Sequence, residues 1–168
     1  MKRLYLIRHA KSSWSEPGLD DFHRPLNLRG KNDGAAMAKR FAIAGIRPDL
    51  IVASPAVRTK KTARFMAEET GYDVDAIQYD NKLYLGSFSY HCQLIATLFQ
   101  QVDELFLVGH NGTITELAEQ LCGRVLGNVP TCGVVALEYP DAGGFSAAAG
   151  RGKLLFFWFP KDGGGAHI

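Results

Sequence analysis

The chain has 168 residues, 46% of them apolar, and a formal net charge of +2 from 19 Lys and Arg against 17 Asp and Glu. That length sets one domain, and that apolar share excludes a disordered chain. The near-balance of charge excludes a broadly basic nucleic-acid-binding surface. No apolar run approaches the roughly 18 residues that span a bilayer, so neither nucleic acid nor membrane is expected as a partner. Met1-Lys2-Arg3 and the four apolar residues behind it begin like a secretory leader, but Arg8 ends the run too early for one. Cys92, Cys122 and Cys132 are odd in number, widely spaced and form no CxxC pair. They read as buried small thiols in a reducing cytoplasm, with no disulfide framework and no zinc site.

In chain order, residues 4–7, 49–53 and 105–108 are short, near-continuously apolar runs, the pattern of strands covered on both faces of a parallel sheet. Residues 133–139 and 153–159 read as an antiparallel hairpin with a loose Gly- and Ala-rich tip. Helices are expected between the strands. The first spans 28–44, with Ala35, Ala38, Phe41 and Ala42 as its apolar positions and Gly45 as its stop. The second opens with Ser54 as N-cap and Pro55 at the first helical position, and ends near Gly71. The third spans 87–101, and the fourth spans 113–121 with Gly123 as C-cap. This alternation gives an α/β fold: a three-layer sandwich with a mostly parallel central sheet, helices on both faces and a C-terminal antiparallel hairpin. Residues 1–160 read as one domain and 161–168, with three successive glycines and His167, as a tail.

Each of the first three strands runs into a basic residue. Arg8-His9 follows the first, Arg58 lies just beyond the second, and Gly109-His110-Asn111 follows the third. Open α/β sheets bind ligands at the carboxyl ends of their strands, so Arg8, His9, Arg58 and His110 are expected at one edge. Taken singly, a His after a strand is commonly structural, and an Arg in a helix's first turn is commonly solvated. Together, two guanidiniums and two imidazoles repel one another until an anion joins them. A phosphoryl group suits that gap, because Arg presents a planar fork of donors. No GxxxxGK[ST] loop is present, and no carboxylate set suggests magnesium. Arg and His without metal or other cofactor point to an imidazole nucleophile and a covalent intermediate cleaved by water.

Leu6-Ile7-Arg8-His9-Ala10-Lys11-Ser12-Ser13-Trp14 resembles the first signature of the histidine phosphatase superfamily, whose fold the phosphoglycerate mutases share. Ser54-Pro55-Ala56-Val57-Arg58-Thr59-Lys60-Lys61-Thr62-Ala63 is similar to its SPxxRxxxTA block, and Val108-Gly109-His110-Asn111 to the third. Asp21-Phe22-His23-Arg24-Pro25-Leu26-Asn27-Leu28-Arg29-Gly30 resembles a segment of the small SixA-like phosphohistidine phosphatases. The resemblance implies that His9 is the phosphorylated nucleophile, that Arg8 and Arg58 clamp phosphoryl oxygens, and that His110 donates to them. It also implies a substrate that is a phosphorylated protein or a small phosphorylated molecule.

The chain departs from the family pattern in three places. Ala10 replaces the signature glycine, and Ser15 stands where mutases carry an Asn that touches phosphate. The stretch from Tyr79 to Ser87 holds no Glu to protonate a leaving oxygen, which leaves Asp80 as the candidate acid. An alkoxide needs that proton, a contribution of roughly 10²–10⁴-fold, whereas an imidazole leaving phosphohistidine needs far less help. The expected function is therefore a metal-independent phosphohistidine phosphatase. One alternative is a small-metabolite phosphomonoesterase or mutase-like enzyme, although only 46 residues separate Arg58 from the third strand run, little room for a mutase pocket. The other is a phosphate-binding module without turnover, which would need no nucleophile. Arg24, stiffened by Pro25, is expected at the cleft rim or paired with Asp20 or Asp21. Trp14 and Phe22 read as rim or loop packing, Lys11, Lys60 and Lys61 as solvated charges, and His23 and His91 as surface or packing residues.

Overall fold

The computed structural model describes residues 1–164. Six strands form one sheet: β1 (Lys2–Arg8), β2 (Leu50–Ala53), β3 (Gln78–Tyr79), β4 (Glu104–Gly109), β5 (Val134–Tyr139) and β6 (Lys153–Trp158). Their spatial order is β3-β2-β4-β1-β5-β6. The first four run parallel, and β5 and β6 are antiparallel to their neighbours. Four helices connect them: α1 (Leu28–Ile43), α2 (Val57–Thr70), α3 (Phe88–Leu98) and α4 (Thr113–Cys122).

Side chains alternate across a strand, and here both faces are apolar. Leu4, Leu6, Leu50, Val52, Leu105 and Leu107 face the core covered by α3 and α4. Tyr5, Ile7, Ile51, Ala53, Phe106 and Val108 face the opposite core, against α1 and α2. This three-layer arrangement is the α/β sandwich expected from the sequence. No helix among the described residues is long and apolar enough to cross a membrane.

Local details differ from the sequence reading. The strand β3 is too short to show any periodicity, and it forms because β2 offers it two parallel partners, Val52 and Ala53. Helix α1 buries Gly30, Gly34, Met37, Ala38 and Phe41 rather than Ala35 and Ala42. Its glycines permit close approach: a Cβ on Gly30 would lie 2.1 Å from the Lys11 carbonyl oxygen. Helix α2 starts at Val57, and its N-cap Ala56 has no side-chain cap, so Ser54 is freed from the capping role. The tip between β5 and β6 is anchored, with Phe145 packed on Tyr139 and Phe99 and the Gly150 and Gly152 amides bonded to carbonyls near the end of α4. Asp162, in the segment read as tail, pairs with Arg40 at 2.8 Å, whereas His167 lies outside the described residues.

Between β1 and α1 the chain leaves the sheet and returns to the point of departure. Ser12 bridges Leu26. The Ser13 amide donates to the Pro25 carbonyl at 2.7 Å, and the Asn27 amide donates to the Lys11 carbonyl at 3.0 Å. This pinned excursion contains Trp14, Asp21 and Arg24.

Candidate active site

Strand register places the two histidines. In the β1–β4 ladder Arg8 is level with Gly109, so His9 and His110 emerge side by side at the carboxyl ends. Their ring centroids are 5.4 Å apart. Ala53 on β2 is level with Val108 on β4, which brings Ser54 beside them. The connections leaving β1 and β4 cover opposite faces of the sheet, so this edge is the switch point where such folds open a crevice.

Helix α2 delivers the arginine. Arg58 sits in its first turn and is 5% exposed. Its Nε lies 3.3 Å from His9 Nε2, and its Nη2 lies 3.3 Å from His110 Nδ1. One edge of the guanidinium therefore faces both imidazoles. The other edge is held by Asp21: Nη1 donates to the Asp21 carbonyl, and Nη2 to its carboxylate at 2.9 Å. Thr62 joins strand loop to helix, since its hydroxyl donates to the Arg58 carbonyl and accepts from the Ala10 amide. Arg8 completes the group, with Nη1 donating to the Val129 carbonyl at 2.9 Å.

Hydrogen bonding sets the tautomers. His9 Nδ1 is 2.7 Å from the Ala10 carbonyl oxygen, so it carries the hydrogen and leaves the Nε2 lone pair facing Arg58. Arg58 Nη2 can only donate, so His110 Nδ1 accepts and Nε2 donates to Ser54 Oγ at 2.8 Å. Burial, with the Arg58 charge next, pushes His110 down to about 4. Burial also pushes His9 down to about 3, against the pull of the Ala10 carbonyl and aided by Arg58, His110 and Arg8. Both imidazoles are neutral near pH 7. Burial lowers the Arg8 guanidinium as well. A neutral imidazole with a free lone pair beside guanidinium forks can attack an electrophile whose developing negative charge those forks hold.

A cleft of about 360 Å³ surrounds this cluster, lined by Arg8, His9, Arg58 and His110 together with residues of the two flanking loops. Asp21 and Tyr84 were not singled out for the site from sequence, because their contacts cross 37 and 63 positions of chain. Tyr84 stacks edge-on against His110 and donates to the Asp21 carboxylate at 2.7 Å. Burial raises the Asp21 carboxyl, but the hydrogen bonds from Tyr84 and Arg58 outweigh it and hold the group at about 2. Asp21 is thus ionised at neutral pH.

The other sequence candidates separate. Arg24, 7% exposed, lines the cleft and pairs with Asp21 at 3.1 Å. Asp80 is absent from the cleft lining; its carboxylate accepts from the Lys82 amide and the Tyr90 hydroxyl. Ser15 also lies outside it, exposed and bonded to Ser13 at 2.8 Å, one position past the cleft residue Trp14. Trp14 and Lys11 are cleft residues, whereas Lys60 and Lys61 are exposed on α2. His23 bonds Asp20 at the surface, and His91 is buried, bonded to the Ser87 carbonyl. Among the described residues no group of three or more His, Cys, Asp or Glu is arranged to hold a metal ion.

A three-layer fold with paired histidines and arginines at its switch point defines a phosphoryl-handling enzyme class. A family model for the histidine phosphatase superfamily, branch 1, matches residues 4–83. A crystal structure from Agrobacterium tumefaciens, named for the phosphohistidine phosphatase SixA, is 32% identical, with TM-score 0.80 over 94% of this chain and 97% of that one. The protein histidine phosphatase SixA complexed with tungstate shares the fold at 16% identity, with TM-score 0.81 over 94% and 97%. An uncharacterized chloroplastic protein of Arabidopsis thaliana is 32% identical over 145 residues, 82% of this chain and 66% of that protein. The chain thus spans just under two thirds of that relative's length. It belongs to the histidine phosphatase superfamily, and structures named for SixA share its fold.

Proposed function

We propose that the protein dephosphorylates phosphohistidine on proteins, through a covalent intermediate on His9. In this reading His9 Nε2 attacks phosphorus as the bond to the leaving nitrogen breaks. An imidazole protonated on its far nitrogen departs neutral. Water then attacks the His9 phosphoryl group and releases inorganic phosphate. Arg8 and Arg58 hold the non-bridging oxygens. His110, once a dianion offsets the Arg58 charge, takes up a proton on Nδ1 and donates it as a hydrogen bond.

One observation carries the choice of substrate. The carboxylate lining the cleft, Asp21, is ionised and engaged by Arg58, Arg24 and Tyr84, while Asp80 is engaged elsewhere. A held carboxylate of that kind is a poor proton donor, so the site suits leaving groups that depart without one. The SixA-named relative at 32% identity supports the same substrate class. The rival is a small phosphate ester, which the cleft volume would admit.

A leaving-group series distinguishes them. Protein phosphohistidine and p-nitrophenyl phosphate are expected to react far faster than alkyl phosphates. The phosphorylation rate is expected to fall steeply as leaving-group pKa rises, with Asp80→Asn leaving that slope unchanged. A shallow slope that steepens in Asp80→Asn or Asp21→Asn would identify an acid and move the reading to the phosphate ester.

A further inference from the structure

The cleft carries more positive charge than one phosphoryl group consumes. Arg8, Arg24, Arg58 and Lys11 line it, and Asp21 is the carboxylate among its described lining residues. A dianionic phosphoryl group leaves one of these cations without a counter-charge.

Arg58 is the lining cation bonded to the histidines, whereas Arg24 is bonded to Asp21 instead. Its Nη2 pairs with Asp21 Oδ1 at 3.1 Å, but its buried Nε and Nη1 have no hydrogen-bond partner among the described residues. Unmet buried guanidinium donors are costly, more so than neutral ones. Trp14 covers the group, with the Arg24 Cζ 3.4 Å from the ring centroid, and is itself 73% exposed. A guanidinium stacked on an indole keeps its in-plane edge available for a planar anion.

We propose that Arg24, with Trp14 over it and Lys11 in the same cleft, forms a second anion subsite for a carboxylate that the substrate bears near its phosphoryl group. Asp21 already displays the required chemistry, since its two carboxylate oxygens reach Arg24 at 3.1 Å and Arg58 at 2.9 Å. The two guanidiniums stand one carboxylate apart, so a phosphoryl group on Arg58 brings its neighbouring group within reach of Arg24. The ligand class is a phosphoryl compound with a carboxylate a few bonds away, as an acidic side chain flanking a phosphorylated residue provides. The subsite rests on the phosphatase cleft and not on phosphohistidine as the substrate.

Calorimetric titration of the full chain with methylphosphonate, phosphonoacetate and 3-phosphonopropionate tests it. At least one carboxylated ligand is expected to bind about tenfold or more tightly than methylphosphonate, the scale of one charge-assisted fork. In Arg24→Gln that ratio is expected to fall to near one. Equal affinities for all three ligands in the wild type overturn the proposal. So does an Arg24→Gln protein that loses methylphosphonate as much as the carboxylated ligands, since Arg24 would then serve the phosphoryl seat or the fold. Arg24→Lys keeps the charge without the fork; a reduced ratio is expected there too, and an unchanged one overturns the subsite. Absence of phosphohistidine turnover in the same preparation would sink the proposed substrate and leave this result standing.

Discussion

The two ends of the parallel strands treat charge in opposite ways. At the amino ends Arg3 pairs with Glu104 at 2.9 Å and Glu138 at 3.0 Å, and Lys2 with Asp103 at 2.7 Å. The Asp49 carboxylate accepts from the Asp103 and Glu104 amides. At the carboxyl ends Arg8, Arg24, Arg58 and Lys11 share one lining carboxylate, and two imidazoles are held neutral beside them. The same backbone supports both. An end whose charges are already matched needs no guest, whereas an end left short of negative charge is built to receive one. The contrast marks the functional edge independently of any motif.

The largest expected effect breaks the carboxyl end. His9→Ala should lower kcat by a factor on the order of 10⁴ or more, with the fold retained, because the covalent route loses its nucleophile. Single-turnover kinetics on p-nitrophenyl phosphate, with circular dichroism on the variant, measure both. Arg58→Ala should cost roughly 10²–10³-fold in kcat/KM, the scale of a lost preorganised donor. Steady-state kinetics check it, and a loss below about tenfold would remove Arg58 from the phosphoryl clamp.

The next expectation concerns pH. His9 and His110 sit near 3 and 4 when folded and near the ordinary histidine value of about 6.5 when unfolded. Between those limits the unfolded chain binds more protons, so stability should decline as pH falls from about 6.5 toward 4. An anion reverses the sign by favouring protonated His110. Sulfate, whose charge is fixed across this range, should bind more tightly with falling pH and raise the melting temperature most at the acid end. Thermal melts with and without sulfate at successive pH values test both halves.

The smallest effect belongs to the amino ends. Glu104→Gln removes a half-exposed pair and should cost about 1 kcal/mol or less, with kcat/KM unchanged. Urea unfolding and kinetics on one preparation would show whether the two ends are independent.

The features legible in the sequence were those carried by local pattern. Apolar runs such as 4–7 and 105–108 have the length and pattern of covered strands, and the basic residues after them follow from where those strands end. Gly71 and Gly123 ended helices as expected because left-handed C-caps favour glycine. What escaped was set by distant partners. Asp21 looks like an ordinary turn residue until the pinned loop sets it against Arg58. Ser54 has the look of a helix cap, but Pro55 and Ala56 delay the helix and its hydroxyl turns to His110. Ser15 matched by counting positions, and counting cannot reveal that its hydroxyl bonds Ser13 outside the cleft while Trp14 beside it lines the cleft.

The excursion between β1 and α1 leaves and rejoins the scaffold at nearly one point, where Ser12 meets Leu26. Closing such a loop costs free energy that grows only with the logarithm of its length. Loops of other lengths and sequences could therefore be spliced across the same anchors without rebuilding the sheet beneath. The excursion works as an exchangeable cassette that carries the Trp14–Arg24 wall, on a chassis that holds His9 and His110. One condition attaches to every graft. It must return a carboxylate to the outer edge of Arg58, or the chassis loses the hinge-pin on which its arginine is aimed.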